Sequence, residues 1–268
     1  RLGISGYDRT YHGALLDAQI LADTYLNLTG GQVTFDLSQN SSVTQNLQID
    51  EQDLKEIKFK KFIEGETIDL VIHNKEEANK TEWYNWFNKD KSTKYLAHHG
   101  LFPNTRSDQN ETLKQMLNSN KKKTGLFLLI VCKDTKKLIG VTALSTIDWI
   151  NRSAYLAIII SPERKKNFIF NSVEVKALMT KHAFDKLNLY KVRTSQVLEL
   201  SEWQKYSHFF GYKVEGVFKA HFLKDHKMYD VCFHACILED YLKARKKIGE
   251  AFWPGKKKFF RIMMKYPK

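Results

Sequence analysis

Cys232-Phe-His234-Ala-Cys236 places three potential metal ligands at alternate positions. In an extended strand alternate side chains share a face. With His221 or His226 across a following turn, that face would offer zinc a thiolate and imidazole set. A core strand with buried thiols has the same pattern and is the preferred reading, because unpaired cysteine is among the most buried residue types. Near the start of the sequence, His12 stands just before an amphipathic stretch and Asp17 one turn inside it. A histidine taking a proton and a carboxylate holding a divalent ion would suit hydrolysis by a metal-bound water. On spacing alone, a surface histidine and a solvated aspartate are the preferred reading. Arg164, Lys165 and Lys166 form a third cluster, able to pair with phosphate; a solvated charged turn is the preferred reading.

The elements that would position these residues fall into four segments. Ala14 to Leu28 carries Leu15, Leu16, Ile20, Leu21, Tyr25 and Leu26 on one helical face and stops at Gly30-Gly31. Residues 33–55 are rich in Ser, Gln, Asn and Thr without a period and read as a flexible linker. Residues 56–240 alternate strand and helix signals. A strand over 62–73 leads to helical stretches over 75–89 and 110–119, and a meander follows over 125–134, 136–148 and 153–161. A long helix over 171–189, a strand over 190–198, a helix over 201–212 and a hairpin turning at Lys224-Asp225-His226-Lys227 complete the order. That order predicts a mixed sheet with helices on its faces, an α/β domain. Residues 241–268 carry ten Lys/Arg against one acidic residue, a balance of 10 − 1 = +9, so the preceding 240 residues carry only 33 − 29 = +4.

The apolar runs "LFLLIVC" and "YLAIII" have strand length and are too short to span a bilayer. Three cysteines make no disulfide framework, which fits a reducing cytoplasm. The expected compartment is cytoplasmic, with no membrane partner.

"RTYHGALLDAQILADTYLNLTGGQ", residues 9–32, resembles the last exonuclease motif of the epsilon (proofreading) subunit of bacterial DNA polymerase III. The resemblance implies that His12 is the general base and Asp17 a ligand of a two-metal Mg or Mn centre for 3′-5′ hydrolysis. The other carboxylates of that centre lie upstream in the family. Two metals cannot be held by one aspartate, so this segment alone is not expected to be a nuclease. The implied partners are the polymerase III catalytic subunit and DNA.

The second segment resembles the GNAT superfamily of acyl-CoA-dependent N-acyltransferases, in the branch that acetylates ribosomal-protein N-termini or amino sugars. The likeness rests on "EWYNWFNKDKSTKYL", "IGVTALSTIDWINRSAYLAIII", "HAFDKLNLYKV" and "FFGYKVEGVFKAHFLKDHKMYDV". It implies a mixed, mainly antiparallel GNAT-like sheet with helices on both faces and an acetyl-CoA cofactor. The family binds the CoA pyrophosphate on a glycine loop and the following helix N-terminus. Aligned on Glu174, that loop is Asn167, Phe168, Ile169, Phe170, Asn171 and Ser172, with Phe168, Phe170 and Ser172 at the glycine positions. Glycine serves there because the chain turns sharply and approaches the phosphates, so two phenyl rings are expected to obstruct it. Counting back from Gly211, Leu200 stands where the family has Asn. Ser207 stands where the family has the Tyr that protonates the leaving thiolate, and Tyr206, one residue away, is 100° around the helix. These departures lead to the expectation that the domain keeps the fold, has lost acetyl transfer and serves as a docking or DNA-proximal module. The alternative is a working N-acetyltransferase for an amino sugar or a protein N-terminus. The basic tail interleaves Phe252, Trp253, Phe259, Phe260 and Tyr266. Its cations would track phosphates while its aromatics stacked on single-stranded DNA, or its apolar residues would pack on the domain.

Overall fold

The structure, a computed structural model, describes residues 59–79, 81, 83–89, 93–96, 99–161 and 168–265. The chain divides into two units, Arg1–Asp53 and Leu54–Lys268. The first unit, with His12 and Asp17, lies outside the described residues, as do all of the linker residues 33–55.

The second unit is built on one eight-stranded sheet: β1 (Lys61–Glu64), β2 (Ile68–Val71), β3 (Leu126–Cys132), β4 (Leu138–Asp148), β5 (Ser153–Ile160), β6 (Lys191–Val197), β7 (Lys213–Lys224) and β8 (Lys227–Ile237). Its order is β1-β2-β3-β4-β5-β6-β8-β7. Neighbours are antiparallel except β5 and β6, which run parallel. This is the mixed, mainly antiparallel sheet that the sequence predicts.

Strand alternation sorts side chains to two cores. Ile68 and Leu70 on β2, and Leu128 and Ile130 on β3, face one cluster. Their neighbours Val71, Leu129 and Val131 face the other, with Trp83, Trp86 and Phe87. On the second face lie α1 (Lys75–Asn79), a 3₁₀ turn (Trp83–Asn88) and α2 (Arg106–Lys122). Thr105 starts α2 with a capping box shared with Asp108. On the first face lie α3 (Phe168–Asp185), α4 (Ser201–Phe209), α5 (Leu238–Ile248) and α6 (Lys256–Lys265).

Two segments differ from their sequence reading, and the tail takes the packed one of its two. The strand expected over 62–73 is a hairpin, because Glu174 of α3 reaches the turn and accepts hydrogen bonds from the backbone N–H groups of Glu66 and Thr67. The helix expected over 75–89 is broken between α1 and the 3₁₀ turn. The tail forms two helices, and its aromatics largely join the core. Phe252 and Phe259 are fully buried, and Tyr241 stacks on Phe184 with centroids 4.5 Å apart. Trp253 Nε1 donates to Glu66 Oε2 at 2.8 Å, tying the tail to the β1–β2 turn. Only Phe260 stays half exposed among the described tail phenylalanines. At Gly211, φ is +82° and an added Cβ would lie 2.8 Å from the Asp240 carbonyl oxygen, so glycine is required where α4 turns into β7.

Candidate functional site

The parallel seam of the sheet is short. β5 and β6 pair at Ser153–Lys191, Ala154–Val192 and Tyr155–Arg193, and there the pairing stops. Beyond that point β5 follows β4 to Ile160 and β6 follows β8 to Val197. Each strand keeps its antiparallel partner, so the two diverge and present inner edges with no strand between them. Tyr155 closes the apex: its hydroxyl lies 2.5 Å from Ser195 Oγ and accepts from the Ser195 N–H at 3.1 Å. The wedge opens into a cavity of about 410 Å³, lined by Ile158, Ile160, Gln196, Ile169, Ser172, Lys176 and Trp203 among others.

Phe168 to Ser172, placed in a loop by the sequence alignment, are the first residues of α3. Without the family's glycines, nothing in Phe-Ile-Phe-Asn-Ser demands a turn, and helix is adopted. Phe170 does not line the cavity. Its ring packs on the tail, with centroids 6.4 Å from Phe259 and 6.1 Å from Phe260, and Lys256 Nζ sits 5.4 Å above it. Ile169 and Ser172 face the cavity, three residues apart on one side of the helix. Asn171 is buried, and its Oδ1 accepts from Thr67 Oγ1 at 2.9 Å. Glu174 is fully buried; burial raises its carboxyl, against the hydrogen bonds from Thr67 and Glu66 that favour the ionised form. Asn167 and the Arg164–Lys166 trio lie outside the described residues.

One turn beyond Ser172, Lys176 faces the same cavity and is 1% exposed. Its Nζ donates to Ser207 Oγ at 2.8 Å, and Ser207 Oγ donates to the Trp203 carbonyl at 2.9 Å. The amine also lies 4.2 Å from the Tyr212 ring centroid and 5.4 Å from that of Trp203. Burial with no carboxylate partner depresses the Lys176 ammonium to about 7. Ser207 is itself fully buried, so the position where the resemblance puts a Tyr holds a serine bonded to a lysine. Tyr206 turns away toward Phe259, 5.6 Å between centroids, as its helical offset requires. Leu200 stands at the start of α4 and lines the cavity.

Gln196 is the second polar group of the wedge. It is 8% exposed, and neither its amide oxygen nor its amide nitrogen has a hydrogen-bond partner. A buried amide left unpaired costs free energy, and this one borders a cavity, so it fits a ligand that carries amides. The bare strand edges suit such a ligand for the same reason.

Sequence reasoning missed both polar residues. The available signal was a lysine inside the apolar run Val173-Glu-Val-Lys-Ala-Leu-Met179, at the i+4 position from Ser172. Cys232, His234 and Cys236 do share a buried face, with Cys232 Sγ 3.6 Å from His234 Nε2. His221 packs on the ring of Phe233, an odd-numbered neighbour whose side chain points to the opposite face. Among the described residues no group of three or more His, Cys, Asp or Glu is arranged to hold a metal ion. No helix among the described residues is long and apolar enough to cross a membrane.

Residues 69–197 match the family model of the acetyltransferase (GNAT) domain. The unit is similar in fold to the crystal structure of spermidine N-acetyltransferase from Vibrio cholerae in complex with CoA and spermine. That match has a TM-score of 0.56 and 21% identity, over 66% of this chain and 98% of that one. It is also similar to the microcin C7 self-immunity acetyltransferase MccE in complex with acetyl-CoA and AMP, with a TM-score of 0.54 and 20% identity over 65% of this chain and 94% of that one. The ribosomal L7/L12 α-N-protein acetyltransferase RimL in complex with coenzyme A gives 0.55 and 16%, over 66% and 97%. The domain thus has the GNAT-like acetyltransferase fold. A short segment is similar to a different protein, DNA polymerase III subunit epsilon. Identity is 68% over 34 residues with that of Pasteurella multocida, covering 13% of each chain. With that of Escherichia coli it is 49% over 45 residues, 17% of this chain and 18% of the relative. The chain therefore spans less than a fifth of the length of these curated relatives.

Proposed function

We propose that the second unit binds acyl-CoA in the wedge between β5 and β6 and transfers the acyl group to an amine. One observation carries this reading: the wedge is open, with Phe170 packed outward on the tail while Gln196 and two bare strand edges line the space. Acetyl-CoA, when bound, supplies an activated thioester. The chain supplies the rest. The inner edges of β5 and β6 and the Gln196 amide offer hydrogen bonds to the amide-bearing arm of the ligand, and the isoleucines of β5 exclude water. The first residues of α3 border the wedge, and a helix leaves its first four N–H groups without intrahelical partners, so this end suits an anionic group of the ligand.

The expected loss of transfer rested on Phe168, Phe170 and Ser172 at the glycine positions and on Leu200 and Ser207 at the Asn and Tyr positions. Phe170 does not obstruct the wedge, and Ser207 comes paired with an amine that can exchange protons near neutral pH. Full-length chain should bind acetyl-CoA with a dissociation constant in the micromolar-to-millimolar range usual for substrates. A panel of polyamines, amino sugars and N-terminal peptides, scored by thiol release, tests the transfer. Thiol release with none of them, despite binding, would return the domain to a docking role.

A docking role has its own support in the charged tail. Lys213, Lys243, Lys247 and Lys258 surround a second cavity of about 380 Å³ between α4, α5 and α6. Asp240, the one acidic residue lining it, is paired with Lys213 at 2.6 Å. In this reading the lysines contact nucleic-acid phosphates. The segment similar to subunit epsilon would bring the domain to the polymerase and DNA, with His12 and Asp17 in exonuclease roles only beside the remaining carboxylates of a two-metal Mg or Mn centre.

A further inference from the structure

Among the lysines described, Lys176 occupies an environment of its own. It sits inside the acyl-CoA wedge, one helical turn from Ser172, on the side of α3 that faces the splayed strands. A single hydrogen bond to Ser207 holds it, with aromatic rings on two sides. No acidic side chain pairs with it among the described residues. The titratable groups that face it are Tyr212, beyond α4, and Cys236 and His234 on β8. Burial holds the Tyr212 hydroxyl and the Cys236 thiol in their neutral forms and disfavours the charged form of the His234 imidazole. The two rings and the Ser207 hydroxyl favour the ammonium but do not make good its lost solvation, and Ser207 Oγ, whose own hydrogen goes to the Trp203 carbonyl, fixes the direction of the amine.

Resting on the acyl-CoA reading above, we propose that Lys176 is itself an acyl acceptor: in the loaded wedge its Nζ takes the acyl group and becomes an Nε-acyl-lysine. A desolvated neutral lysine is the form in which this side chain acts as a nucleophile. The amine attacks the thioester carbonyl, the C–S bond breaks as the N–C bond forms, and the sulfur leaves with the bonding pair. The proton shed by the nitrogen goes to that sulfur, giving free CoA thiol. The product is a neutral amide in an apolar cavity, which removes the cost of a buried amine. Acylation would therefore be self-limiting, at one group per chain, and would fill the space that a second acyl-CoA needs.

The test uses the full chain and acetyl-CoA alone. The protein is incubated from pH 6 to pH 10, digested, and the acetyl content of each lysine is read by peptide mass. The expected result is a rate at Lys176 that saturates with acetyl-CoA, falls when free CoA is added, and levels off by about pH 8. At neutral pH it should exceed that of Lys243, the solvent-exposed comparator, by about 1,000-fold, the order by which the neutral fraction of an amine titrating at about 7 exceeds that of a lysine at the reference value. Lys176→Met, shown to be folded by circular dichroism, should lose the saturable site while the exposed lysines keep their slow rate. If acetyl-CoA binds but Lys176 is acetylated no faster than Lys243, or CoA does not protect it, the proposal is overturned while the binding reading stands. If acetyl-CoA does not bind at all, both fall together.

Discussion

The wedge and the C-terminal helices use the same residue types, lysines and aromatics, to opposite ends. In the tail, the aromatic rings of Phe252 and Phe259 go inside and the lysines go to water. Rings buried in this way cannot stack on bases, which leaves Phe260 as the exposed one among the described tail phenylalanines and makes nucleic-acid contact there mainly electrostatic. In the wedge, Ile158, Ile160 and Trp203 line an open space and Lys176 is drawn in among them, which costs the ammonium its solvation. Exposure decides whether a lysine serves as a charge or as a reagent. The tail lysines lie largely in water, whereas the buried Lys176 is poised to change protonation state near neutral pH.

The contrast can be broken most forcefully from the tail side. Phe259→Ala removes a ring that contacts Phe170, Phe209, Phe210 and Trp253 and should cost about 3–5 kcal/mol in urea denaturation. A loss well under 1 kcal/mol would make the tail an appendage and not part of the core. On the wedge side, Lys176→Met should stabilise the fold by roughly 1–4 kcal/mol at pH 6, the scale seen when buried charges give way to apolar residues. The sign follows from linkage. The folded ammonium titrates at about 7 against an ordinary 10.5, so between those values the unfolded chain binds more protons and stability rises with pH. The advantage of Lys176→Met should therefore shrink from pH 7 upward and vanish above about 10.5. A difference independent of pH would show that Lys176 is not desolvated.

Gln196→Leu removes the unpaired amide without opening the wedge and should weaken acetyl-CoA by about tenfold, or about 1.4 kcal/mol. Unchanged affinity would take the amide out of ligand recognition. The smallest effect belongs to the solvated charges. Replacing Lys243, Lys247 and Lys258 with alanine should leave stability unaltered and lower the salt slope of oligothymidine binding by about two. An unchanged slope would place nucleic acid elsewhere or nowhere.

Much of the fold was legible because strand alternation and turn chemistry are local. The turn Lys224 to Lys227 gives a hairpin with positive φ at Asp225 and His226, and the meander of β3 to β5 follows its apolar runs. What escaped reading depends on distant partners. The β1–β2 hairpin is held by Glu174, more than one hundred residues away, and the tail helices are fixed by burial of Phe252 and Phe259 rather than by a strong local stop. Of the residues singled out in the sequence, Ser172, Ile169 and Leu200 line the cavity. Its working groups were not singled out. Lys176 reads as one charged residue in an apolar helix, and only the divergence of β5 from β6 reveals that it faces a cavity.

The central claim is that the open wedge takes acyl-CoA, and an isothermal titration of the full chain with acetyl-CoA, paired with a thermal-shift assay, tests it most directly. A one-to-one isotherm with a dissociation constant of about 1 µM to 1 mM and a matching rise in melting temperature are predicted. Neither heat nor a shift at millimolar acetyl-CoA would contradict the account and leave a GNAT-like fold whose wedge serves no acyl donor.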